Sequence, residues 1–257
     1  LSTIANTNNH IGVPQNILRL QEKERFAVLE MGTNHPGEIA VLAKCASPQL
    51  AIITSIGHSH GGNFPEKNGI LQEKCEILRY MKSDGMAFIP YEMEKSMLEL
   101  GLLYGRNYRT FGADSQADIS YEYLGGKLHS SSCRITLQDE TLELTSSLSG
   151  RHQIQNLALC LGVMSYLGCE LTGLKNGIEK LTLPGMRMKV ISRDDIHFIN
   201  DAYNANPQST VALLQWLADI AAEFSGERYV VLGDMLELGD ASASFHRQVV
   251  KALPESW

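Results

Sequence analysis

The first two-thirds of the chain alternate short apolar runs of strand length with longer stretches of helical spacing, and that alternation limits what it can fold into. Arg25 to Met31, Leu50 to Ile56 and Gly85 to Ile89 read as buried strands. Pro36 to Ala46 and Glu66 to Met81 read as helices, with Pro36 suited to a first turn. Strands joined by helices of that length pair in parallel, because a parallel connection must cross back over a face of the sheet. From Ala117 to Leu148 the pattern shortens to alternating runs, Ile119 to Tyr123, Arg134 to Leu137 and Thr141 to Thr145, with Gly125-Gly126 as a turn. That stretch predicts an antiparallel insert in a mostly parallel α/β sheet. Helical spacing returns at Gln153 to Leu167 and Leu171 to Leu181.

Thr182-Leu183-Pro184-Gly185 marks a boundary, giving a first domain over residues 1–184 and a second over 185–257. The second is expected to hold a strand pair ending at Ile199, a helix from Ser209 to Phe224, a strand Tyr229 to Leu232 and a helix from Ser244. It reads as a partial α/β domain. The chain begins at Leu1 and enters polar, motif-like sequence almost at once, so it is expected to start inside a larger protein.

Composition excludes several function classes. With 44% hydrophobic and 20% charged residues the chain is globular. Its longest mostly apolar stretch, Leu157 to Leu167, is too short to span a bilayer, and no basic-then-apolar signal segment opens it. A net charge of -7 argues against nucleic acid as a partner. Five cysteines form no CxxC and mostly lie in apolar segments, as expected of reduced, buried thiols in the cytoplasm.

Three polar clusters follow the strands or open the next helix: Glu30 to Glu38 (EMGTNHPGE), Gly57 to Phe64 (GHSHGGNF) and Glu73 to Glu76 (EKCE). Ligands of doubly wound sheets bind beyond the carboxyl ends of strands. Glu30 and His60 could meet on one magnesium or manganese ion. By itself His58-Ser59-His60 is also ordinary loop composition, and Lys74 in an amphipathic helix is also an ordinary solvated lysine. Glu30 is harder to explain away, since it ends an apolar strand, where a carboxylate is costly unless paired or metal-bound. A fourth cluster, NDAYNANPQS at residues 200 to 209, could be turn chemistry, ligand chemistry or both.

Eight segments occur in one order: NNHIGVP (from Asn8), LEMGTNHPGEI, TSIGHSH, EKCEIL, GRHQIQN, RMKV, NDAYNANP and GDMLELG. Together they resemble the Mur ligase family over nearly the whole chain. YNANP, GDMLELG and TNHPGEI are most similar to the branch that joins D-alanyl-D-alanine to UDP-N-acetylmuramoyl-tripeptide. The resemblance implies a central ATPase-type domain followed by a partial Rossmann-like carboxyl-terminal domain. It also implies an ATP-dependent ligase of peptidoglycan precursor synthesis, monomeric and cytoplasmic, that works with Mg2+. Such ligases phosphorylate a carboxylate, and an amine then attacks the acyl phosphate; cations and metal should offset the crowded negative charge.

The resemblance also assigns roles residue by residue. Glu30 and His60 match the metal-binding carboxylate and imidazole, and Lys74 the lysine that is carbamylated in related ligases. His60, Lys74 and Arg187 would be catalytic, with Arg187 reaching ATP phosphates. His152 and Asn156 would lie near adenine, where Gln153 replaces one of the family's asparagines. Asp201 would hold the ribose beside Tyr203, and Asn8, Asn9, Asn34, Asn204 and Asn206 would line the substrate side.

Two departures accompany it. Gly61-Gly62 follow His60, where the family has a larger apolar residue and an acid. No GxxxxGK[ST] phosphate loop occurs in the sequence; the family's loop would lie just before Leu1, and the amino-terminal domain that grips the uridine nucleotide is missing as well. The chain is therefore expected to be a fragment, inactive by itself. The rival readings are a sister amide ligase, such as another Mur ligase or a folylpolyglutamate-synthase-like enzyme, and a non-catalytic nucleotide-binding remnant.

Overall fold

A computed structural model describes residues 1–57, 64, 68–138 and 140–254. The chain forms two compact units that divide near Arg109. The first contains α1 (Gly12–Leu18), α2 (Glu38–Ala46), β1 (Leu50–Ile52), α3 (Gly69–Arg79), β2 (Met86–Pro90) and α4 (Tyr91–Glu99). β3 (Asn107–Gly112) carries the chain into the second. There follow β4 (Ile119–Lys127), β5 (Ser130–Leu137), β6 (Glu140–Ser146), α5 (Arg151–Tyr166), α6 (Lys175–Ile178), β7 (Lys189–Arg193), β8 (Ile196–Asn200), α7 (Pro207–Asp219) and α8 (Ser242–Lys251). β1 to β6 form one sheet in chain order, and β7 and β8 form a separate pair.

The expected α/β class holds. β1 pairs with β2 in parallel and β3 with β4 in parallel, whereas β4, β5 and β6 are antiparallel. Along β5, Ser131, Cys133, Ile135 and Leu137 are buried in strict alternation, as a half-buried strand requires. In the first unit Ala51, Ile53, Leu71, Leu78, Ala87, Ile89 and Met97 share one core. Each large aliphatic side chain there contributes about 1.5–3 kcal/mol by leaving water. Gly162 lets α5 press on β4: a Cβ there would stand 2.2 Å from Ile119 Cδ1.

Several expectations are corrected. Arg25 to Met31 is not a strand. It makes one isolated bridge, Val28 to Ser2, and Val28 is 67% exposed. Tyr229 to Leu232 is likewise extended without partners in a ladder, with Tyr229 and Val231 83% and 94% exposed. A short apolar run becomes a strand only where a neighbour supplies hydrogen bonds. Gly125-Gly126 is not a turn but a register shift inside β4, and the chain reverses at Leu128-His129. The helix expected over Leu171 to Leu181 shrinks to a 3-10 turn and α6, while α1 and α4 were not anticipated. Cys75 and Cys133 are buried, but Cys45, Cys160 and Cys169 are exposed, all five as free thiols.

Candidate functional site

In the first unit, the loop after Glu30 is tied down at several points. Glu30 is exposed, and its Oε1 accepts from Asn8 Nδ2 at 2.9 Å while its backbone N–H donates to Thr3 Oγ1 at 2.8 Å. Gly32 N–H donates to the Asn8 carbonyl, and a Cβ on Gly32 would come within 2.8 Å of Asn8 Nδ2, so a side chain there would displace the Asn8 amide that binds Glu30. Asn8, expected on the substrate side, and Glu30, expected at the metal, are thus brought together, a pairing the motifs did not foretell. Asn9 is not free for a ligand through its oxygen, which accepts from Ile11 N (3.1 Å) and Gly12 N (2.9 Å) at the start of α1.

The Thr33–Gly37 segment is clamped by two carboxylates. Glu38 Oε2 accepts from Asn34 N at 2.6 Å and His35 N at 3.0 Å, and those amides hold its pKa below the ordinary value against the cost of burial. Asn34 itself presents an exposed side chain. Gly37 precedes α2 with φ of 89° and offers no side chain to cap it. The cap comes from α3 instead. Glu73, only 5% exposed, accepts from Gly37 N (2.7 Å), Ile39 N (2.7 Å) and Thr33 Oγ1 (3.3 Å). The sequence pointed to Lys74 and missed this role of its neighbour. The available signal was the glycine at the helix start, which leaves amides that some other residue must satisfy.

Lys74 follows on the same helix. Its Nζ donates to the Ser55 carbonyl at 2.8 Å, in the segment after β1, and burial pushes its pKa down. It is therefore not a solvated surface lysine. His60 lies outside the described residues. Among those described, no three His, Cys, Asp or Glu gather as a metal site.

In the second unit, residues 186–188 run beside 201–203. Asp201 Oδ1 accepts from Met188 N at 2.8 Å, and Tyr203 N–H donates to the Met186 carbonyl at 3.2 Å. The Arg187 guanidinium lies over the Tyr203 ring, 3.9 Å from its centre, in a cation–π contact with both residues exposed. Asp201, Arg187 and Tyr203 are thus brought into one cluster. On α5, the buried Nδ1 of His152 has no hydrogen-bond partner among the described residues. Burial lowers the pKa of this imidazole, while the Asp201 charge opposes the shift. Gln153 is half-buried, and Asn156 is exposed one turn further along.

Part of the NDAYNANP loop is turn chemistry. Asn200 Oδ1 accepts from Ala202 N at 3.1 Å. Asn206 caps α7, accepting from Ser209 N at 2.9 Å while Ser209 Oγ accepts from Asn206 N at 3.3 Å, with Pro207 in the first turn. Asn206 is thereby committed to the backbone, whereas Asn204 is exposed. One further residue escaped the sequence reading. His246 on α8 accepts from Met235 N at Nε2 (3.1 Å), and its Nδ1 lies 2.9 Å from the Ser242 carbonyl, which fixes the GDMLELG loop and places the ring proton on Nδ1.

The model of the Mur ligase middle domain matches residues 1–164, and that of the Mur ligase, glutamate ligase domain matches residues 186–256. The UDP-N-acetylmuramoyl-tripeptide--D-alanyl-D-alanine ligase of Bacillus subtilis (strain 168) is 33% identical over 247 residues, 96% of this chain and 52% of that protein. Among solved structures, MurF from Acinetobacter baumannii superposes with a TM-score of 0.88 at 29% identity, covering 97% of this chain and 54% of its own. A MurF ligase from Thermotoga maritima, solved in complex with ADP, gives 0.86 at 26% identity, covering 98% and 57%. The chain spans about half the length of the curated relatives it matches.

Proposed function

Because this chain belongs to the Mur ligase family, we propose that it supplies the middle and carboxyl-terminal parts of a ligase that joins D-alanyl-D-alanine to UDP-N-acetylmuramoyl-tripeptide with ATP. The observation that carries this reading is the match to such a ligase over 96% of the chain, running through both polar loops. The junction at residues 184–185 is proposed as the domain boundary. The protein acts in the cytoplasm as a monomer; among the described residues no helix is long and apolar enough to cross a membrane.

The residues fit the chemistry. Amide formation through an acyl phosphate gathers negative charge as the phosphoryl group moves, so fixed cations and dipoles lower its barrier most. Arg187, held over the Tyr203 ring, offers a guanidinium fork to phosphate oxygens, and Asp201 offers a carboxylate to ribose hydroxyls. His152, whose Nδ1 is unpartnered among the described residues, and Asn156 would contact adenine.

The donor set also fits Mg2+, which takes one or two carboxylates plus substrate oxygens rather than a full protein cage. Glu30 is exposed, and among the described residues its carboxylate accepts at Oε1 from Asn8. Glu30 would hold the ion with His60, and Lys74 would join them as its carbamate. Bound magnesium would neutralise phosphate charge. Lys74 is suited to carbamylation because only a neutral amine adds CO2, and burial favours the neutral form. Asn8 orients Glu30, while Asn34 and Asn204, both exposed at loop tips, would contact the peptide substrates. Asn9 and Asn206 would each support the substrate side of its own unit through the turn it caps.

The test is product formation by the whole protein with ATP, UDP-N-acetylmuramoyl-tripeptide and a panel of amines. Phosphate release coupled to ligation of D-alanyl-D-alanine in preference to L-alanine, D-glutamate or diaminopimelate supports the reading. Preference for another amine makes it a sister ligase, and nucleotide binding without ligation makes it a binding remnant.

A further inference from the structure

Glu73 and Lys74 are consecutive on α3, yet their side chains reach two different loops. Lys74 Nζ donates to Ser55 in the segment that follows β1, and Glu73 accepts three hydrogen bonds from the Thr33–Ile39 segment. A carboxylate this buried, at 5% exposure, is costly unless its oxygens are occupied. Here both are: Oε2 by Gly37 N, Oε1 by Ile39 N and Thr33 Oγ1. The charge also faces the amino-terminal end of α2, whose own preceding residue is a glycine that cannot cap it. Far along the same helix, Arg106 binds the carbonyls of Leu78 and Arg79 at 3.1 Å each. α3 is therefore fixed at its carboxyl end by Arg106 and, one residue before Lys74, by Glu73.

We propose that Glu73 is a positioning residue of the ligation site: its buried carboxylate locks the loop bearing Asn34 to the helix bearing Lys74, so that both keep one geometry. This role rests on the function proposed above. It differs from general stabilisation because the hydrogen bonds end on the loop that would touch substrate. A glutamine at this position keeps the volume but has only one acceptor oxygen. The Gly37 and Ile39 amides approach different oxygens, so one of them would face an amide NH2 and lose its partner.

The experiment measures steady-state ligation in the whole protein, with melting temperatures alongside. Glu73→Gln should lower kcat about tenfold, and Glu73→Ala more, because small displacements of reacting groups are costly. The KM for ATP should stay within about twofold, since Glu73 touches no residue assigned to the nucleotide. Arg106→Ala removes hydrogen bonds from the other end of α3 and should leave kcat unchanged despite a comparable fall in melting temperature. Equal losses of kcat in Arg106→Ala and Glu73→Gln would reduce the role to stability and overturn the proposal, as would full turnover by Glu73→Gln. Ligation by the unsubstituted protein is measured first. Its absence overturns the functional reading and this one with it, whereas normal ligation with an active Glu73→Gln overturns the positioning role alone.

Discussion

The Thr33–Gly37 loop of the first unit and the Asp201–Asn206 loop of the second are both polar, and they are held in opposite ways. In the first, two carboxylates from helices, Glu38 and Glu73, take up the amides of Asn34, His35, Gly37 and Ile39. In the second, the loop holds itself through Asn200 and Asn206 turns, one carboxylate on Met188 N, and an exposed stack of Arg187 on Tyr203. A buried charge with all its hydrogen bonds made has one geometry, whereas an exposed stack can shift at little cost. The first arrangement suits residues that must meet a reacting centre in register. The second suits residues that grip a nucleotide and release its product.

The sharpest way to break this contrast is at Lys74. If it works as a carbamate in the fixed region, Lys74→Ala and Lys74→Arg should both cut turnover of the whole protein by about a hundredfold or more, the scale of losing one electrostatic stabiliser. Arginine keeps the charge but does not form the carbamate, so activity in Lys74→Arg would show that a plain cation suffices. Smaller is the effect at Arg187. Arg187→Ala should lower kcat about tenfold and raise the KM for ATP, because its charge would act on the moving phosphoryl group and its stack would be lost. Unchanged kinetics would leave the stack a surface contact.

Asn206→Ala should cost about 1 kcal/mol of stability by removing the cap of α7, read as a lower urea midpoint for this chain. An unchanged midpoint would mean the capping box contributes nothing. The smallest effect is a slope. Desolvation sets the folded pKa of Lys74 below the ordinary 10.5, so between those two values the unfolded chain binds the extra proton and stability rises with pH. Urea titrations should show Lys74→Met losing stability relative to the unsubstituted chain across that window, and parallel curves would mean that burial does not shift the amine.

The sequence disclosed the parallel alternation, the antiparallel insert and the residues of both polar loops, since these rest on local periodicity and on residue type. It did not disclose which apolar runs find a partner: Arg25 to Met31 and Tyr229 to Leu232 are apolar runs like β2, yet among the described residues they join no ladder. Nor could it separate Asn206, spent on a helix cap, from Asn204 two residues earlier, because both are asparagines in one loop. Glu73 was hidden for a related reason. Its partners lie 34 to 40 residues away, and no local spacing rule reaches that far. Long-range hydrogen bonds by single carboxylates are set by tertiary packing, which composition and periodicity do not encode.

The central claim divides labour between the two regions, chemistry beside the first loop at Glu30 and nucleotide grip in the second at Asp201. It is tested most directly by measuring kcat and the KM for ATP in the whole protein with Glu30→Ala and with Asp201→Ala. The account predicts that Glu30→Ala loses turnover by about a hundredfold with little change in the KM for ATP. Asp201→Ala should instead raise the KM for ATP with kcat nearly kept, because a ribose contact is alike in ground and transition states. Equal losses in both parameters for both variants, tracking their melting temperatures, would contradict it.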